Sequence, residues 1–154
     1  MSKTLYIMLL VGGSIGIFLC FIAVAAAGGG ISSEEIAPFI VSLMLLASIA
    51  HLTFIHRFWK SIQDGHPRMS PGKAIGLLFV PIFNIFWLFQ VYGGFATDYN
   101  NHVKQKAISA PNLSRPLLAF NAVLILVPVP ILNWIVWTMT ISRICAGVNA
   151  IRVK

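Results

Sequence analysis

The chain is short of acid. Only four Asp and Glu stand against eleven Lys and Arg, and charged residues make up 10% of its 154 positions. A soluble domain carries about 25%, so a charged, solvated shell is excluded. Cysteine is scarce as well. Cys20 and Cys145 lie in or beside apolar runs and form no C-x-x-C, which excludes a disulfide framework and a cysteine-ligated metal. G-x-S-x-G and H-E-x-x-H are missing, and no aspartate pair sits inside an apolar run. Nucleophile, metal and positioned base are therefore absent as recognisable motifs, and an enzyme is not expected. His51 and His56 are five apart, off a common helical face, so neither metal nor other cofactor is expected.

What is present is apolar. Hydrophobic residues reach 58% and the mean hydropathy is +0.86. The composition is that of one all-α membrane domain covering residues 1–154. A net charge of +7 would suggest nucleic acid in a soluble chain. Here the basic residues flank apolar runs, so anionic lipid headgroups on a cytoplasmic face are the expected partners, and nucleic acid is not.

About four transmembrane helices are expected: residues 4–27, 35–64, 71–96 with a polar extension to about 107, and 115–150. The first run exceeds a signal-peptide core of about 7–15 residues and reads as an uncleaved signal anchor. Gly13, Gly16, Cys20, Ala23 and Ala27 form a small-residue face, and Gly12 with Gly16 makes a G-x-x-x-G. Both patterns let helices approach closely, within the chain or in a homo-oligomer. A loop holding Glu34 and Glu35 but no Lys or Arg looks non-cytoplasmic. Ser32 and Glu35 form a capping box for the second helix. That helix ends amphipathically, with Thr53, His56, Arg57, Lys60 and Asp64 on one face and Ile55, Phe58, Trp59 and Ile62 on the other. It should leave the membrane along the cytoplasmic interface. His51 lies deeper, as a binding or relay residue or as a donor to a neighbouring helix.

The centre of the chain is residues 70–87. Ser70 is an N-cap and Pro71 a first-turn proline. Pro81 then removes a helical donor and frees the carbonyl of Leu77, so a kink or break is expected, with Asn84 one turn on to meet freed backbone groups. Trp87, Tyr92 and Tyr99 suit an interfacial belt. Asp98 and His102 make an i,i+4 pair read as a solvated face. The last run is interrupted at Pro128-Val129-Pro130.

Val80-Pro81-Ile82-Phe83-Asn84 echoes Val129-Pro130-Ile131-Leu132-Asn133 at four of five positions. Two helices broken alike at P-x-x-N would point to a midplane site, as in transporters; equally, the motif merely bends two packed helices. Pro81, Asn84, Gln90, Pro130, Asn133 and His51 are the candidate site or pore residues. Gly12, Gly13, Gly16, Gly72 and Gly76 are the candidate packing glycines. Arg57, Lys60, Arg68 and Lys73 are the candidate headgroup ligands.

Ser70-Pro71-Gly72-Lys73-Ala74, Gly76, Phe79, Pro81, Phe83-Asn84, Trp87, Gly94 and Asp98-Tyr99-Asn100 resemble the signature of a family of small bacterial integral-membrane proteins, a domain of unknown function. The ending Ile144-Cys145-Ala146-Gly147-Val148-Asn149-Ala150 is similar to that family's last helix, which often carries an acidic residue where Ala146 or Gly147 stands. The resemblance covers residues 58–151. It implies a bacterial inner-membrane location and about four membrane helices, and it implies no activity.

Two topologies follow. Four full spans with a cytoplasmic N-terminus put Lys104, Lys106 and Arg115 outside. Re-entrant hairpins tipped at Pro81 and at Pro128-Pro130 keep every Lys and Arg inside. The charge rule favours hairpins; segment lengths favour four spans, which is the expectation adopted. The expected function is a non-enzymatic helical bundle that self-associates or binds partners or lipids. The alternative is a small oligomeric channel or transporter with its site at the Pro-x-x-Asn breaks, although no acid or arginine lies mid-membrane to couple ions.

Overall fold

The computed structural model describes residues 2–26, 33–127 and 129–152. Ser32 of the expected capping box, residues 28–32 of the expected loop and Pro128 fall outside them, while Glu34 and Glu35 belong to the first turn of a helix. Among the described residues the chain is all helical. Its α-helices are α1 (Lys3–Tyr6), α2 (Gly13–Ala26), α3 (Ser33–Lys60), α4 (Pro71–Gly76), α5 (Phe83–Phe89), α6 (Phe95–Gln105), α7 (Arg115–Leu126) and α8 (Pro130–Arg152). A π-helical segment, Ile7–Gly12, joins α1 to α2, and another, Gln90–Gly94, joins α5 to α6. Three helical stretches are long and apolar enough to cross a membrane: Lys3–Ala23, Ile36–Lys60 and Pro130–Arg152. Arg115–Leu126 is apolar but shorter.

Residues 71–96, expected as one helix kinked or broken at Pro81, divide into separate helical segments. Ser70 caps α4, accepting from the Lys73 amide at 3.2 Å, with Pro71 in the first turn. A 3-10 turn, Leu77–Phe79, follows. The Leu77 carbonyl that proline would orphan accepts from the Val80 amide at 3.4 Å. Ile82 then takes φ 65°, a left-handed conformation that a β-branched residue rarely adopts and that ends any continuous helix.

Beyond it the chain doubles back. Trp87 Nε1 donates to the Ala74 carbonyl at 3.1 Å. Arg68 pairs with Asp98 at 2.8 Å, and Lys106 pairs with Asp64. These partners are nested one inside another about residues 80–82, which is the contact pattern of a hairpin. The next turn runs the same way: Asn100 donates to the Leu113 carbonyl at 2.9 Å and accepts its amide at 2.8 Å, and Gly93 faces Ala119. Residues 102–106 therefore lie beside the turn that follows α3. Between α7 and α8 only residues 127–129 intervene, and the two helices pack on each other.

The core sits where α3 meets the hairpins. Ile55, Phe58, Trp59 and Ile62 are buried, while Thr53, His56, Arg57, Lys60 and Asp64 are exposed, as the amphipathic pattern predicts. Helix α3 stops at Lys60, short of residue 64, because the chain tightens into a 3-10 turn at Gln63–Gly65 and His66 is left-handed. Phe58 packs against Phe95 with centroids 4.4 Å apart. Trp87, Tyr92 and Tyr99, expected at an interfacial belt, are buried in this core.

Of the candidate packing glycines, Gly13 and Gly16 meet α3, at Ala47 and Leu43. Gly12, Gly72 and Gly76 have open space where a side chain would be, so within the chain they are not close-approach positions.

Candidate functional site

Sequence candidates gather in one place and scatter elsewhere. His51, on α3, shares a 2.6 Å hydrogen bond with the Tyr92 hydroxyl. Trp137, on α8, meets the His51 ring edge-on at 5.2 Å. A cavity of about 230 Å³ adjoins this group, lined by Ser14, Ser48, His51, Asn133 and Trp137 among others. A second cavity of about 530 Å³ shares Ser14 and Asn133 with it and is otherwise lined by apolar and aromatic side chains such as Phe18, Phe21 and Trp134, with Pro130 at its edge. The structure thus brings together His51, Pro130 and Asn133.

Pro81, Asn84 and Gln90 line neither cavity. The P-x-x-N echo is real at one bond only. Asn84 N–H donates to the Val80 carbonyl at 3.0 Å, and Asn133 N–H donates to the Val129 carbonyl at 2.8 Å. The two motifs part at the next residue, since Ile82 is left-handed while Pro130 simply opens α8. Chain order could not reveal that one copy makes a hairpin tip and the other a helix start.

A polar cluster ties the hairpins to the end of α3. Asp98 accepts from the Arg68 amide at 2.9 Å and from Nε at 2.8 Å. His102 is buried, with Asp64 Oδ1 3.7 Å from Nε2. The expectation that Asp98 and His102 form a solvated pair is therefore corrected. Asp98 is taken by Arg68, and His102 is covered by Gly65, where an added Cβ would lie 2.1 Å from Nδ1. Asp64 lies 38 positions from His102, a contact that no local spacing announces. The Lys106 ammonium beside Asp64 holds its carboxyl below the usual range. Arg57, Lys60 and Lys73 are exposed, whereas Arg68 is held in its ion pair.

Burial pushes the His102 imidazole below its ordinary value of 6.5, Lys106 pushes the same way, and Asp64 opposes both. A depressed histidine contributes stability that is complete above the unfolded pKa and is lost as pH falls below it. Stability of the purified protein is thus expected to decline on acidification from about pH 6.5, by up to about 1.4 kcal/mol per pH unit for this one group. Thermal unfolding at pH 7.5 and 5.5 checks it: His102→Gln should show a smaller drop than the parent, and an equal drop would refute the assignment.

No protein-family model, curated protein or solved structure matches this chain.

Proposed function

We propose that the protein is a non-enzymatic integral membrane protein whose basic end faces the cytoplasm of a bacterial inner membrane and holds anionic lipid headgroups. In this reading two proline-bearing hairpins enter the bilayer from that same end. The observation that carries it is the pairing of Lys106 with Asp64 and the seating of His102 against Gly65. These contacts draw Lys106, with Lys104 on the same helix, to the turn that follows α3, near Lys60. A one-sided basic surface then satisfies the charge rule without exception in the third loop.

The short incoming limbs support hairpins, although α8 is by itself long enough to cross. The limb from residue 71 to 79 reaches about 13 Å and α7 about 18 Å at 1.5 Å per residue, against about 30 Å of hydrocarbon. Both tips expose apolar side chains, Ile82 and Ile131 foremost. Backbone at the first tip is internally bonded, with Phe83 N–H donating to the Pro81 carbonyl, as hydrocarbon requires. Asp64 and Asp98 are the acidic residues at this end, and each is already matched to a cation. Arg57, Lys60 and Lys73 are left for phosphate or glycerol headgroups, each contributing about 1 kcal/mol near an anionic surface.

Topology is the test. In a chain with Cys20→Ala and Cys145→Ala, a membrane-impermeant maleimide should label Glu34→Cys in intact cells. It should label Lys104→Cys only after the membrane is opened. Labelling of Lys104→Cys in intact cells would establish four spans and overturn the one-sided basic face.

A further inference from the structure

The two joined cavities do not serve the basic face. They lie between α2, α3 and α8, within the stretches able to cross a membrane. Ser14 is eleven residues from Lys3 and His51 nine from Lys60, which places both some 13–17 Å along their helices, near mid-bilayer.

The polar floor has a definite chemistry. Asn133 Oδ1 is buried and accepts no hydrogen bond. Ser14 and Ser48 spend their protons on the carbonyls of Val11 and Met44, at 2.8 and 2.7 Å, so each turns only lone pairs outward. One His51 nitrogen is engaged by Tyr92. Asn133 Oδ1 is thus the acceptor on this floor that is left wanting a donor. Neither cavity is lined by Lys or Arg, so a carboxylate or phosphate would be buried uncompensated. Above the floor the walls are Ile17, Phe18, Phe21, Met44 and Trp134, which suit a hydrocarbon chain. An apolar pocket with a few convergent polar groups is the usual form of a small-molecule site.

We propose that this crevice binds an uncharged amphiphile with a hydroxyl head: the hydroxyl donates to Asn133 Oδ1 and its chain lies along α2 beside Phe18 and Trp134. The reading stands apart from membrane orientation and survives either outcome of the labelling experiment.

The test uses the purified protein in phosphatidylcholine nanodiscs and tryptophan emission. Trp134 and Trp137 line the crevice. The probe is 12-bromododecan-1-ol, compared with 1-bromododecane and 12-bromododecanoate at equal mole fraction in the bilayer. The alcohol should quench saturably, with half-saturation about tenfold below any that the alkane or the carboxylate shows, the worth of one buried hydrogen bond. Asn133→Leu should abolish the saturable phase. If that variant fails to fold, Asn133→Ala, which also lacks the acceptor, should weaken alcohol binding by a similar factor, and Trp134→Phe should remove much of the quenchable emission. Linear quenching that is equal for alcohol and alkane would overturn the proposal, as would saturation unchanged by both Asn133 variants.

Discussion

Gly147→Ala is expected to destabilise the protein by about 2–3 kcal/mol, the upper part of the range for overpacking a filled core. A Cβ there would lie 2.6 Å from the Tyr99 hydroxyl and 2.8 Å from its Cζ. The ring cannot step aside, because Tyr99 is fully buried and packs on Phe95. Its hydroxyl is buried without a partner, and burial pushes that phenol up to about 12, so it stays neutral at any working pH. Tyr99→Phe alone should therefore be neutral or slightly stabilising, since it removes an unsatisfied group. Tyr99→Leu should restore most of the stability that Gly147→Ala removes, because it deletes the colliding atoms. Thermal unfolding of the four proteins in one detergent measures the coupling. A Gly147→Ala variant as stable as the parent would refute the close contact.

Ala146, by contrast, is exposed while Gly147 is buried against Tyr99, so of the two only position 146 has room for a larger side chain in this packing.

Local chemistry was legible in the sequence. The two faces of the α3 terminus, the Ser70 cap and the first-turn Pro71 follow from short-range rules, and each is seen. Direction was not legible. Pro81 announces a lost hydrogen bond, but whether the chain then bends or reverses depends on Ile82, whose left-handed backbone runs against its own propensity and is held by tertiary contacts such as Trp87 with Ala74. Apolar length carries no information on that choice. Of the candidate site, His51 stood out as a polar residue in an apolar run, and Asn133 through its echo of Asn84. Their meeting with Ser14 and Ser48 required three helices to be placed together, which no periodicity encodes. Of the two asparagines that the echo pairs, Asn133 lines the crevice and Asn84 does not.

Asp98 is the other position where a single change should be large, and it separates structure from lipid binding. Its carboxylate, 10% exposed, accepts from the Arg68 amide, Nε and Nη2. Asp98→Ala is expected to cost about 2–3 kcal/mol, because it leaves the Arg68 amide without its acceptor and releases the segment before α4 from α6. Arg68→Gln should cost less, about 1–2 kcal/mol. The backbone amide still holds the carboxylate in that variant, and the lost guanidinium was itself 44% exposed and partly screened. Arg68→Lys should not restore the parent value, since an ammonium cannot reproduce the two-nitrogen grip. Lipid retention should sort the other way. Changing Arg57, Lys60 and Lys73 together to Gln removes three exposed cations that carry no ion pair among the described residues. It should reduce phosphatidylglycerol retained in native mass spectra by about a hundredfold in apparent affinity, with unfolding changed by no more than the loss of the Arg57 contact to the Tyr6 hydroxyl. Arg68→Gln should lower stability while retaining most of that lipid. If Arg68→Gln instead loses the lipid at unchanged stability, Arg68 is a headgroup ligand and the Asp98 pair contributes nothing to holding the hairpin.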